Sequence, residues 1–537
     1  MNRQSGGEIA SRDEQAHEAS FVRALQSPHL DLWALAAILV IAAICMATAL
    51  TRFSTEYDEG VYWQSLRAMT HGHALYSSVF GSQPPGFLLG VYPGYLLLGQ
   101  SIVAGRVVIA LYALAGIVAI YVIGRALGGR WVGVLAAGLL ALNPRHLQEA
   151  TTLHAEIPSL TLSLVGIALV AVVMRGTLPQ TWRFLLIAAA GVALGLAIMM
   201  KLLAVVALVP AVLVIAWPLV LEIAKSRAEK LPFSASFSRQ TLVNVAQDIG
   251  LLLAGLLLAC IVTLAPFLPR WGTLYEQVIG FHLVARGTSS SSPIANLLLL
   301  PDITWLVAAL GLAVALWRRM WVALPLLGWL LAGVLVLAVQ QPLFDPHVLI
   351  LAPPLALLGA LGSVAAIEEL RVHGDVRVHG DVRARGTLLA SATLVALAAT
   401  LLAGLWLDVR QTRAAETYSG GARAQMVQAL RDPAGPAGPV VTDDQYVAAL
   451  AGRDTPPELV DTSLVRIATG SLTTAEVERV IGRDDVRVVL FATDRLDRLP
   501  GLRAWVEANF QPVRSFGAGE TLYTRRAPLS LQSSAGS

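Results

Sequence analysis

The repetition of long apolar runs along most of the chain is the feature that most constrains its fold. By the criterion that about twenty apolar residues cross a bilayer, we predict about eleven membrane spans. They lie near 33–51, 103–124, 131–143, 157–174, 184–200, 202–220, 249–268, 303–317, 321–339, 347–367 and 387–407. Hydrophobic residues form 55% of the 537 residues and charged residues only 14%, which excludes an ordinary soluble protein. We expect a mainly α-helical, polytopic membrane protein.

Basic residues in alternate short loops predict the orientation of these spans, since Lys and Arg mark the cytoplasmic face. The loops with Arg125, Arg183 and Arg318 all fall on one side. We therefore predict a cytoplasmic N-terminal tail (1–32), which lacks the apolar core of a cleaved signal peptide, and a multi-pass domain (33–407) in the plasma membrane. The net charge of +3 is small and indicates no nucleic-acid partner.

The chain changes character at about residue 408, where charges and turn residues become frequent and the long apolar runs stop. Buried strands are predicted at 438–443 and 486–494, a helix at 502–510 and a final hairpin at 512–524. We predict a small extracytoplasmic α/β domain over 408–537. It contains neither a phosphate-binding loop nor a cluster of metal ligands, so we expect accessory binding or packing from it rather than the chemistry.

Unusual polar motifs gather on the predicted outer face. Directly after the first span comes YDEGVYW (57–63), whose carboxylates cost several kcal/mol at a hydrocarbon boundary unless they are solvated or paired. Taken alone, Asp58 and Glu59 could simply solvate the end of a helix. They are accompanied by further outer motifs, namely HGHALY (71–76), SQPPGFLLG (82–90), LNPRHLQEATTLHAEIPSL (142–160), GLAIMMK (195–201) and FDPHVLILAPPLALL (344–358).

In order, spacing and common sidedness these motifs resemble the polyprenyl-phosphate-dependent glycosyltransferases of the GT-C fold, in the branch of the protein O-mannosyltransferases and the lipid A aminoarabinose transferase. The resemblance covers roughly residues 30–365. It implies an integral-membrane enzyme that transfers a sugar from a polyprenyl-phosphate donor, with inversion, to a glycan, lipid or protein acceptor outside the cytoplasm. Asp58 matches the first acid of the family motif and is the predicted base. Glu59 would orient it, bind acceptor or contact the sugar.

The donor phosphate needs a cation or hydrogen-bond donors. Gln83 stands where the aminoarabinose transferases tend to have a lysine, and a neutral amide supplies no charge. Lys201, at the predicted outer end of a span, is either a phosphate ligand or a snorkelling lysine. His347, which follows FDP, is a second phosphate candidate.

The remaining predicted substrate-binding residues are Tyr57, Arg106 at the start of the second span, and Arg145, His154 and Glu156 in the outer loop 144–156. His154 and Glu156 suit sugar hydroxyls, an acceptor or a divalent cation such as Mg²⁺ or Mn²⁺. Two ligands do not make a metal site, so we predict none, and a satisfied interfacial pair is the alternative.

Two other classes of protein remain as alternatives. A transporter or lipid flippase would place charged residues near the bilayer midplane and show internal repeats. Here the polar motifs lie in outer loops, and no two halves resemble each other. A membrane scaffold whose soluble tail binds a partner would leave Asp58 dispensable.

Overall fold

The computed structural model of the chain describes residues 29–54, 56–176, 178–228, 238–288, 292–374, 381–416 and 421–526. The predicted cytoplasmic tail (1–32) lies almost entirely outside these residues. The helices of the membrane part are Leu30–Ala49, Tyr57–Thr70, Gly86–Leu97, Ile102–Gly128, Arg130–Ala141, Pro144–Ala150, Glu156–Val173, Gln180–Met200, Leu208–Ile215, Trp217–Ala228, Arg239–Leu264, Trp271–Tyr275, Phe281–Thr288, Pro293–Leu297, Trp305–Trp317, Ala323–Val339, Ala352–Gly374 and Asp381–Glu416.

Within the described residues, seven helices are long and apolar enough to cross a membrane, or eight if the bent pair Leu202–Ile215 and Trp217–Arg227 is one span. Three of the remaining predicted runs form the shorter apolar helices Arg130–Ala141, Trp305–Trp317 and Ala323–Val339. Each predicted run therefore overlaps a helix, but the number eleven is not confirmed, because these three helices fall short of the length of a full span. The prediction of a mainly helical, multi-pass membrane protein is confirmed.

The helix Tyr57–Thr70 links the membrane part to the C-terminal region. Its first turn carries acids, which favour a helix N-terminus, and the chain turns away at Gly72, whose φ of 82° suits glycine. A Cβ at Gly60 would overlap the backbone nitrogen of Tyr446, so glycine permits close docking. Gln64 Nε2 donates to the carbonyl oxygen of Arg453 at 3.0 Å. The C-terminal region therefore lies directly against this helix.

The C-terminal region holds a four-stranded sheet with the strand order β1-β2-β4-β3. Strand β1 pairs in parallel with β2, and β4 is antiparallel to both β2 and β3. The strands are β1 (Val440–Thr442), β2 (Val488–Phe491), β3 (Phe510–Gly517) and β4 (Glu520–Arg525). The α-helices of this region are Ala422–Arg431, Gln445–Leu450, Leu464–Ala468, Thr474–Ile481 and Leu502–Asn509. The predicted boundary at 408 falls inside the helix Asp381–Glu416, which continues past the last apolar run.

Candidate active site

A cavity of about 440 Å³ lies where three parts of the chain meet. The segments on either side of the helix Tyr57–Thr70, together with that helix, form one wall, and the adjoining ends of membrane helices form another. The C-terminal region forms the third. Of the residues singled out from the sequence, those that line this cavity are Tyr57, Asp58, Gln83, His154, Lys201 and His347.

Asp58 opens to this cavity from the first turn of its helix. Across the described part of the chain its carboxylate has no hydrogen-bond or ion-pair partner. The Asp58 side chain is exposed to the cavity, and desolvation by the surrounding walls raises its pKa above the ordinary value. The nearby carboxylates of Asp461 and Glu156 act in the same direction, and the charges of His154 and Lys201 oppose them. The result is an uncommitted carboxylate with a raised proton affinity.

Glu59, the next residue, is fully buried and faces away from the cavity. Its two carboxylate oxygens accept hydrogen bonds from Nε and Nη2 of Arg106, each at 2.7 Å, and one also accepts from the backbone N–H of Leu153 at 2.9 Å. Burial alone would raise the pKa of Glu59, but the Arg106 guanidinium outweighs it and holds that pKa below its ordinary value.

Arg106 is equally committed, because its Nη1 donates to the carbonyl oxygens of Leu50 and Arg52, both at 2.7 Å. Together Glu59 and Arg106 tie the helix Tyr57–Thr70 to the helices Leu30–Ala49 and Ile102–Gly128. The predicted contacts of Glu59 and Arg106 with substrate do not agree with this placement, since each is occupied by protein partners.

Lys201 and His347 stand at the junction of the cavity with a narrow apolar pocket. The pocket is walled by aliphatic and aromatic side chains of the membrane part, among them Leu160, Leu203 and Trp329. Lys201 follows the last residue of the helix Gln180–Met200 and forms an ion pair with Glu156, at the start of the helix Glu156–Val173.

His154 forms a buried pair with a residue that the sequence analysis missed. Its Nδ1 lies 2.8 Å from a carboxylate oxygen of Glu149, and its Nε2 is buried without a partner among the described residues. Burial alone would lower the pKa of His154, but Glu149, with Glu156 and Asp58, raises it to about 10. Glu149 lies within the motif at 142–160, and an acid five residues before a histidine was the available signal.

Glu149, His154 and Glu156 each offer one ligand atom, and these atoms all lie within 4.8 Å of one another. The sequence analysis counted two ligands here, and the structure adds Glu149 as a third. The same three residues also form two ion pairs, because Glu149 neutralises His154 and Lys201 neutralises Glu156. A divalent cation could bind only in place of the proton on His154, because an imidazolium has no free lone pair.

Arg145 lies outside the cavity walls. It donates to the Asp345 carboxylate at 3.1 Å and to the carbonyl oxygen of Pro301 at 2.9 Å, and so fixes the segment that leads to His347. The predicted direct contact of Arg145 with substrate does not agree with this position. Gln83 does line the cavity, and its backbone carbonyl oxygen accepts a hydrogen bond from the Tyr76 hydroxyl at 2.7 Å.

The C-terminal region closes the cavity, for which the sequence analysis expected only accessory binding or packing. The Tyr57 hydroxyl donates to Asp461 at 3.2 Å and accepts from the backbone N–H of Thr462 at 2.6 Å. The Arg495 guanidinium lies 4.2 Å from the centroid of the Tyr57 ring. These contacts place the C-terminal region beside Asp58.

Residues 82–237 match the model of the dolichyl-phosphate-mannose-protein mannosyltransferase family. A search among curated proteins gave no match in sequence.

Solved structures show the same architecture. The chain is similar to ArnT from Cupriavidus metallidurans bound to undecaprenyl phosphate, with a TM-score of 0.61 and 14% identity over 93% of this chain and 99% of that one. It is also similar to AglB from Archaeoglobus fulgidus in complex with an inhibitory peptide and a dolichol-phosphate, with a TM-score of 0.51 and 14% identity over 94% of this chain and 76% of that one. The chain therefore has the GT-C fold, as its motifs predicted.

Proposed function

We propose that this protein is an integral-membrane glycosyltransferase that moves a sugar, with inversion, from a polyprenyl-phosphate donor to an acceptor hydroxyl on the outer face of the plasma membrane. One observation carries the proposal. The uncommitted carboxylate of Asp58 shares a cavity with Lys201 and His347, and those two residues also border an apolar pocket. A lipid-linked sugar presents the same sequence of groups: an apolar tail, a phosphate and a reacting carbon.

In this reaction Asp58 accepts the proton of the acceptor hydroxyl as the hydroxyl oxygen forms a bond to the anomeric carbon. The bond from that carbon to the phosphate oxygen breaks, and its electron pair leaves with the polyprenyl phosphate. A carboxylate that is free of partners and has a raised pKa is a better base than an ordinary one, provided that it is ionised at the working pH. Attack opposite to the leaving group inverts the anomeric centre.

The departing phosphate is stabilised by Lys201 and His347, at the mouth of the apolar pocket. Gln83 adds amide hydrogen bonds but no charge. His154 lines the cavity and Glu156 borders the apolar pocket beside Lys201, and we assign both to the sugar hydroxyls. The pocket has a volume of only about 30 Å³, so its side chains must move apart to admit a lipid tail.

The proposal requires the cavity to face away from the cytoplasm. We would place a cysteine at Asp494, an exposed residue of the C-terminal region, in a Cys45→Ser, Cys260→Ser background. A membrane-impermeant maleimide should label this cysteine in intact cells. Labelling only after the cells are opened would contradict the orientation.

The function is tested by incubating the purified protein in lipid nanodiscs with a panel of radiolabelled polyprenyl-phosphate sugars. Wild type should release sugar to water or to an acceptor from at least one donor. Asp58→Asn should fall to background, while Asp494→Asn, a matched exposed acid outside the cavity, should match wild type. Unchanged turnover in Asp58→Asn would remove the base. Donor binding without any bond cleavage by wild type would instead favour lipid transport.

A further inference from the structure

Arg495 is the basic residue that the C-terminal region contributes to the walls of the cavity. It lies in the turn after β2, with its guanidinium over the ring of Tyr57. Its Nη1 donates to the carbonyl oxygen of Asp443 and to the hydroxyl of Thr493, both at 3.2 Å. These contacts hold the guanidinium in one orientation.

The other two nitrogens of the guanidinium, Nε and Nη2, have no hydrogen-bond partner in the part of the chain that the structure describes. No carboxylate there lies within ion-pair distance of Arg495 either. Arg466, on the same side of the cavity, differs: it pairs with Glu476 and donates to the backbone of Glu458 and Asp461.

A half-buried cation without a counter-charge is unfavourable, and a guanidinium fixed by protein contacts suits the fork geometry of a phosphate or carboxylate. A ligand that carries an anionic group could therefore supply the counter-charge that Arg495 lacks among the described residues.

The position of Arg495 indicates which ligand that is. The apolar pocket is bordered by Lys201 and His347 and, within the described residues, by none from the C-terminal region. In the proposed function, the single phosphate of the polyprenyl-phosphate donor binds at that pocket. Arg495 faces the cavity from the C-terminal wall, beside Tyr57 and hence next to the proposed base. An anion at Arg495 then belongs to the acceptor.

We propose that Arg495 binds an oxyanion carried by the acceptor close to its reacting hydroxyl, and that the C-terminal region thereby selects an acidic acceptor. Tyr57 supports this site, because its ring lies against the Arg495 guanidinium and its hydroxyl is held by Asp461 and Thr462. The inference rests on the proposed function, and it deepens that proposal by naming the chemical class of the acceptor.

The test is direct binding, which needs no turnover. The full-length protein in nanodiscs is titrated by calorimetry with mannose 6-phosphate, mannuronic acid and the neutral methyl mannoside. Wild type should bind at least one acidic probe tenfold or more tightly than the neutral one, and the stronger of the two distinguishes a phosphate from a carboxylate. Arg495→Gln should lose this preference without a change for the neutral probe.

Two further variants keep the result interpretable. Arg498→Gln is the matched control, since Arg498 lies in the same segment but is exposed and paired with Asp494; it should keep the preference. Arg495→Lys retains the charge without the fork and should show an intermediate preference, which decides the matter if the glutamine variant does not fold.

An undiminished preference in Arg495→Gln, or no preference in wild type, would overturn the inference. A raised KM for the donor in Arg495→Gln, with the preference intact, would assign Arg495 to the donor phosphate instead. Failure of wild type to cleave any donor would remove the proposed function, and the probe titration would still report on the anion site.

Discussion

The helix Tyr57–Thr70 carries two adjacent acids on faces with opposite environments. Asp58 opens to a cavity and has no partner among the described residues, whereas Glu59 is fully buried and held by Arg106 and a backbone amide. Consecutive helical residues point about 100° apart, so two adjacent acids can face different surroundings and have different roles. The comparison indicates that the motif joins the proposed base, Asp58, to the Glu59–Arg106 ion pair, the anchor that holds its helix in place.

The largest expected effect is on the stability that the anchor, the Glu59–Arg106 ion pair, gives to the protein. Glu59→Gln leaves the buried guanidinium of Arg106 without a counter-charge, and such a broken pair costs about 3–5 kcal/mol of stability. We expect a clear drop in the thermal midpoint of the protein in detergent. The double variant Glu59→Gln, Arg106→Met removes both charges and should recover much of this loss. A midpoint unchanged in the single variant would contradict the anchor.

The next effect concerns the phosphate. Lys201→Met removes a charged donor from the mouth of the apolar pocket, and a hydrogen bond to a charged group contributes about 1.5–3 kcal/mol. The KM for the donor should rise by roughly ten- to a hundredfold, measured by the initial rate of donor cleavage. Lys225→Met, an exposed lysine elsewhere, is the control. An unchanged KM in Lys201→Met would indicate that Lys201 serves only its ion pair with Glu156.

The two faces should also respond differently to pH. Desolvation by the cavity walls raises the pKa of Asp58 above its ordinary value of 3.8. Turnover should therefore fall about tenfold per unit of pH below a midpoint that lies above 3.8. Burial acts to raise the pKa of Glu59, but Arg106 outweighs it and lowers that pKa below its ordinary value of 4.5. The stability that the ionised Glu59 contributes is therefore complete above pH 4.5 and is lost as the pH falls through the lower pKa of the folded state.

This difference is checked by rate profiles and thermal melts over the same buffers. Turnover should be lost while the protein is still folded and Glu59 still stabilises it, as shown by the difference in midpoint between wild type and Glu59→Gln. Loss of turnover only together with unfolding would contradict the raised pKa of Asp58.

The smallest expected effect is a gain in affinity for the donor. Gln83→Lys adds a cation to the cavity wall and should lower the donor KM by about two- to fivefold, the scale of a solvated ion pair. Gln511→Lys, on an exposed strand position, should leave it unchanged. Equal changes in both variants would show a general effect of net charge and no phosphate near Gln83.

The sequence predicted the helical membrane fold. It also singled out Asp58, Lys201 and His347, which line one cavity, because each lies in a motif at the end of an apolar run. It gave Asp58 and Glu59 different roles but did not predict that Glu59 pairs with Arg106 away from the cavity, since the direction of a side chain depends on where the helix docks. The C-terminal wall was beyond sequence reasoning for a different reason. The contact of Tyr57 with Thr462 joins residues 405 positions apart, and no local pattern announces it.

The central claim is that position 58 serves the reaction and position 59 the fold. The most direct measurement compares Asp58→Asn and Glu59→Gln in one nanodisc preparation, by thermal midpoint and by donor cleavage. Asp58→Asn should lose about 10²- to 10⁴-fold in turnover with a midpoint no lower than that of wild type, since it removes an unpaired charge. Turnover near the wild-type level in Asp58→Asn, or a midpoint as low as that of Glu59→Gln, would contradict the account.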